Sequence, residues 1–236
     1  MRFKFKQIPI GNYFLSFLFA VFAAGMGCRG CTPEGPQDIL QLAPKDALRA
    51  IYVADGDAFV TGVDGFTTQA TRGAGRALVD RLRQGITEQL GFDPLTPESY
   101  LAAGIDLKAG ALFFETKDGA CLSLGIRDPG RFDKWLLATV ARVDGADKSQ
   151  SQQTGKGVIQ SVGRGMGDAI VPVLHWTHVG RFVLLARGHE EKVLTSALER
   201  QSVAAPTQSD TLRQSPMFVD ALRRLDGFDV LVMVRG

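Results

Sequence analysis

The residues best equipped for chemistry in this chain are three histidines. His175 and His178 stand three positions apart in AIVPVLHWTHVG, and His189 follows on the far side of a turn signal. A helical metal pair works at a spacing of four, because positions four apart share a face. Three apart on a strand sends two side chains to opposite faces. Only a turn at His178 would bring the rings together, with His189 as a third ligand. A periplasmic hydrolase or metal-dependent enzyme using His175, His178 and His189 is therefore the catalytic alternative, set against plain strand-end histidines.

Other patterns carry less. The runs TRGAGRA and GRGMGD lack both G-x-G-x-x-G and the terminal Gly-Lys-Ser/Thr of a nucleotide loop, and the second precedes a strand where a phosphate loop precedes a helix. No Ser stands in G-x-S-x-G. Asp55-Gly56-Asp57 reads as a hairpin turn; calcium would require further oxygen ligands and a downstream Glu. Cys121, on an alternating strand, reads as a small half-buried residue, or as a disulfide partner for Cys31 in an oxidising compartment. No catalytic, cofactor-binding or metal-ligating residue is assigned, and no cofactor is expected.

The elements that would hold these residues begin behind a leader. Arg2, Lys4 and Lys6 precede twelve uncharged, mostly apolar residues, Tyr13 to Ala24. That fits a signal-peptide core and is short of the ~20 residues that span a bilayer. Small residues then run into Cys28 in a pattern resembling a bacterial lipoprotein cleavage site, which makes Cys28 the expected lipid attachment. Charged Arg29 makes Cys31 a poorer candidate. The formal charge is +2, but without the three leader cations acidic residues exceed basic ones by one. With no basic run, neither nucleic acid nor nucleotide is an expected partner.

The expected order is signal peptide 1–27, lipid-proximal linker 28–44, a first α+β half 45–143, a polar loop 144–157 and a second α+β half 158–236. In each half a hairpin leads into an amphipathic helix. ALFFET, Lys117-Asp118-Gly119 and ACLSLGI precede a helix from Pro129 with Phe132, Trp135, Leu136 and Val140 on one stripe. AIVPVLH, a turn from Thr177 to Gly180 and RFVLLA precede a helix after His189 with Val193, Leu194, Ala197 and Leu198 on one side. A first unit of the same kind pairs Leu48–Ala54 with a strand at Ala58–Val63 before a helix from Ala77, with Leu78, Val79, Leu82, Ile86 and Leu90 on its apolar face. Thr96-Pro97 opens a short helix, and Ser215-Pro216 caps a last one before an apolar strand, Phe228 to Val234. Ending there suits either a terminal strand within the sheet or a module that continues into another unit. The expected fold is α+β: repeated strand-strand-helix units in mainly antiparallel sheets, with helices packed on one face.

Leader and Cys28, LAPKDALRAIYVAD, Gly104-Ile105-Asp106-Leu107 ahead of a hairpin, and the Ser215-to-Phe218 helix running into a strand together resemble a family of uncharacterised Gram-negative envelope lipoproteins carrying a domain of unknown function. The resemblance implies export to the periplasmic side of the envelope and no activity or cofactor. The expected function is a non-catalytic binding or structural role, with the membrane through the lipid and an envelope protein or the cell wall as partners. A carrier of a small apolar ligand is a further alternative, whose signature would be an enclosed apolar pocket.

Overall fold

The computed structural model describes residues 39–70, 76–154, 157–167, 169–202, 211–224 and 230–235. The leader, Cys28, Cys31 and the linker at 204–210 lie outside the described residues. In chain order the elements are β1 (Arg49–Val53), α1 (Gly56–Ala70), α2 (Arg76–Leu90), α3 (Pro97–Ala102), β2 (Ala111–Thr116), β3 (Gly119–Gly125), α4 (Pro129–Asp144), β4 (Lys148–Thr154), β5 (Gly157–Met166), β6 (Ala169–Val179), β7 (Phe182–Arg187), α5 (Glu191–Ser202), α6 (Pro216–Arg224) and β8 (Val230–Val234). The fold is mixed α+β. Among the described residues eight strands join one antiparallel sheet in the order β4-β5-β6-β7-β3-β2-β1-β8. Among the described residues no helix is long and apolar enough to cross a membrane.

Both sheet faces are covered, which corrects the expectation of helices on one face. The central strand β7 shows why: Phe182, Leu184 and Ala186 enter one core, Val183 and Leu185 the other, and all five are buried. An unbroken apolar run is what burial on both sides requires. On one face, Phe132, Leu136 and Val140 of α4 share a core with Leu122, Leu124 and Trp176, and α1 adds to the same core. On the other, α5 places Val193, Leu194, Ala197 and Leu198 over Cys121, Leu184 and Phe182, while Phe218 of α6 reaches Tyr52. The first is the α4 face and the second the α5 face. Cys121 and Ser123 point into the α5 face and are buried. Small side chains there let the roof approach closely; they do not mark a wet side.

The first unit is not strand-strand-helix. Ala58–Val63 lies inside helix α1. Asp55 accepts from the Ala58 N–H at 3.0 Å, so Asp55-Gly56-Asp57 is a helix start, and Phe59, Val60 and Val63 fall at helical spacing in the α4-face core. In α2 Leu90 is buried but Leu82 is 55% exposed, so its apolar face is only partly used. That helix is held largely through polar groups: Leu90 O accepts from Trp135 Nε1 at 2.8 Å and Thr139 Oγ1 at 3.2 Å, and Arg142 reaches Gln89 O at 2.8 Å. Arg83 clasps Asp93 and also bonds Asp64 at 3.1 Å, tying α2 to α1.

Two boundaries move. The polar loop expected at 144–157 contains β4, an edge strand whose side chains are exposed or half-buried on both faces, so it carries no hydrophobic period. Residues 39–44 are core and not linker: Ile39, Leu40, Leu42 and Ala43 are buried, and Leu212 N–H donates to Ala43 O at 2.9 Å. Within GRGMGD, Gly163 to Met166 continue β5. A Cβ on Gly163 would stand 2.1 Å from Val171 O, so glycine permits the close, bulged approach of β6. The helix at Pro97 forms as expected and ends at Gly104 with φ of +84°.

Candidate functional site

Strand β6 runs on to Val179, so Thr177 and His178 are strand residues and no turn swings His178 toward His175. The two imidazoles sit on opposite faces, as their odd spacing requires.

His175 is 2% exposed. Its Nδ1 lies 2.6 Å from Ser161 Oγ on β5, and its Nε2 lies 3.0 Å from Gly188 O. A carbonyl only accepts, so Nε2 carries the proton and Nδ1 accepts from the Ser161 hydroxyl. The ring fastens β5 to the turn after β7. Gly188 must be glycine there, because a Cβ would stand 1.9 Å from Pro172 O. Serine beside imidazole is the arrangement of a nucleophile and its base. Here both groups are buried and the second ring nitrogen is engaged by backbone, so the pair is a structural pin.

His178 points to the α4 face. Its Nε2 is 2.9 Å from Asp133 Oδ1, and Trp176 Nε1 donates to the same oxygen at 2.9 Å. The Phe132 ring stands edge-on to the imidazole at 6.1 Å. Asp133 thus docks α4 onto β6 through two donors, while His178 and Asp133 both keep some contact with solvent. His189 sits on the exposed turn before α5, with Nε2 3.8 Å from Glu190 Oε1. Each histidine has its own partner. Among the described residues no group of three His, Cys, Asp or Glu side chains is placed to hold a metal ion.

The remaining candidates resolve in the same way. Asp55 spends a carboxylate oxygen on the α1 N-terminus; burial, then the charge of Asp55, raises the neighbouring Asp57 carboxyl above its ordinary value. Cys121 is fully buried, and burial pushes its thiol far up, so it carries no thiolate at neutral pH. A surface cleft of about 450 Å3 opens between α3 and the start of α4, lined by Leu101, Ala102, Arg127, Asp128 and Arg131. Asp128 caps α4 by accepting from the Arg131 N–H at 3.0 Å and pairs with the Arg131 side chain at 3.2 Å. With three of its five lining residues charged, this cleft is not the enclosed apolar pocket of a carrier.

Ser161, Asp133 and Gly188 position the histidines, and sequence reading did not single them out. Only Ser161 left a signal, sharing strand parity with buried Ile159. The expected lipid site, Cys28, lies outside the described residues. Comparison with family models, curated proteins and solved structures finds no match, so the functional reading rests on this chain alone.

Proposed function

We propose that the chain is an exported protein of a Gram-negative envelope, lipid-anchored through Cys28 on the periplasmic side, which binds an envelope protein or the cell wall without chemistry of its own. The leader carries this reading: three cations, twelve uncharged residues and a small-residue run into Cys28. The resemblance to envelope lipoproteins points the same way. The three histidines do not converge on one another. His175 is consumed by Ser161 and Gly188, His178 by Asp133, and His189 stands apart from both. The strand-strand-helix order shared by β2-β3-α4 and β6-β7-α5 is proposed as a twice-used unit, its helices landing on opposite faces.

Mass spectrometry of the mature protein tests the anchor. The expected mass begins at Cys28 and includes acyl chains, and Cys28→Ser moves the protein from the membrane to the soluble fraction. A mature chain that retains Met1 would end this reading. The hydrolase alternative keeps one foothold, the partly exposed His178–Asp133 pair. Hydrolysis of any envelope substrate that His178→Ala abolishes, with folding intact, would restore it.

A further inference from the structure

The two edges of the sheet are built to opposite rules. β4 ends one side with KSQSQQT, polar throughout. β8 ends the other with Val-Leu-Val-Met-Val, which carries no charge, proline or bulge. Those devices normally stop a free edge from pairing. Among the described residues β8 has β1 as its strand partner on one side and none on the other.

The ladder identifies the open backbone groups. Arg235 N–H donates to Leu48 O at 2.9 Å, which sets the phase of the β1–β8 pairing. Alternate residues of an antiparallel strand bond to the same side. Met233 and Leu231 therefore bond inward to Ala50 and Tyr52, and Val230, Val232 and Val234 turn their N–H and C=O outward. The same three valines project toward the α4 face, where Val232 is 57% and Val234 62% exposed. Leu231 and Met233 are buried beside Phe218 on the α5 face.

We infer that β8 is the docking edge for a second copy of this chain, with two β8 strands pairing antiparallel about a twofold axis at Val232. The inference rests on the binding role proposed above and names its partner. The occupant follows from the strand's own order, which reads alike in both directions. A twofold at Val232 sets Val230 opposite Val234 of the second copy and Val232 opposite itself, so every outward N–H and C=O meets its complement. Leu231 falls opposite Met233, a pair of similar volume. A twofold perpendicular to the sheet also keeps each face on its own side, so valine meets valine over the exposed α4-side patch. An unrelated extended segment would have no reason to match this symmetry. A five-residue strand is small beside the roughly 800 Å2 per partner of a standard interface. The dimer is accordingly weak and concentration-dependent.

Sedimentation equilibrium of the purified full chain across a concentration series is the test, with Val232→Lys as the variant and Val171→Lys, on exposed β6 surface, as control. The expected result is a monomer–dimer equilibrium weakened about tenfold by Val232→Lys, which puts like charges face to face, and unchanged by Val171→Lys. Amide exchange on the unmodified protein gives a second readout that survives a misfolded variant: the Val230, Val232 and Val234 N–H groups slow as the dimer forms. A chain that stays monomeric to its solubility limit would overturn the inference. So would a dimer indifferent to Val232→Lys, or slowed amides that track a different protein and not concentration. Because the mass of the mature chain is read separately, loss of the lipid reading and loss of the dimer remain distinguishable.

Discussion

The α5 face and the α4 face meet their helices by different means. On the α5 face Val193, Leu194, Ala197, Leu198 and Phe218 press apolar side chains onto Leu184, Cys121 and Tyr52. The α4 face has an apolar layer of its own but adds a polar clasp, in which Asp133 receives Trp176 and His178 while Leu90 O receives Trp135 and Thr139. Burial of area is indifferent to direction, whereas hydrogen bonds fix it. The α4 layer is therefore held in one orientation, and its histidine, which looks catalytic in sequence, serves that purpose.

Changes at four positions would break or sharpen this contrast. Phe218→Ala empties a fully buried site on the α5 face and should cost about 3–5 kcal/mol in urea unfolding. Asp133→Ala strands two donors on the α4 face and should cost about 1–3 kcal/mol, with an altered near-ultraviolet dichroism signal from Trp176. Asp133→Asn, which keeps a carbonyl oxygen, should recover part of that. If Asp133→Ala proved neutral, the polar clasp would not be what holds α4.

Arg83→Ala comes next, at about 0.5–1 kcal/mol at neutral pH, since the guanidinium is partly exposed. Its effect should depend on pH. Burial works to raise the Asp93 carboxyl, but the Arg83 hydrogen bond, the Leu95 N–H, the Thr96 hydroxyl and the Arg83 charge together hold it below 3.8. A depressed folded value stabilises above the unfolded one, and that stability drains as pH falls through the lowered value. The penalty of Arg83→Ala should thus be full at neutral pH and fade in acid below about 4. A penalty equal at both extremes would remove the ion pair from the account. The smallest change is Ser123→Ala. Among the described residues the buried Ser123 hydroxyl has no hydrogen-bond partner, so its loss should be neutral or stabilising by under about 1 kcal/mol.

What the sequence disclosed depended on whether a residue's neighbours were local. The hairpins β2-β3 and β6-β7 were legible because alternation and turn residues are short-range signals, and α4 and α5 because their stripes repeat every three to four positions. α1 was misread because Asp-Gly-Asp serves a hairpin and a helix start equally well. β4 was missed because an edge strand wet on both faces has no pattern to show. The full burial of Cys121 and Ser123 was not legible, because nothing nearby in sequence announces that α5, some seventy positions downstream, will cover them. The separation of His175 and His178 followed from parity alone. Their partners Asp133 and Gly188 did not, since both contacts join elements distant in the chain.

The junction of β1 with β8 carries a consequence for how the molecule is assembled. Arg49 lies opposite Val234, roughly 185 residues further on, whereas the hairpins close over a few. Chain closure over so long a span is entropically costly and slow, and is repaid only once local pieces exist to receive it. The sheet should therefore zip outward from its tight hairpins and seal this seam last. The same seam should be the first to part when the protein is pulled or warmed.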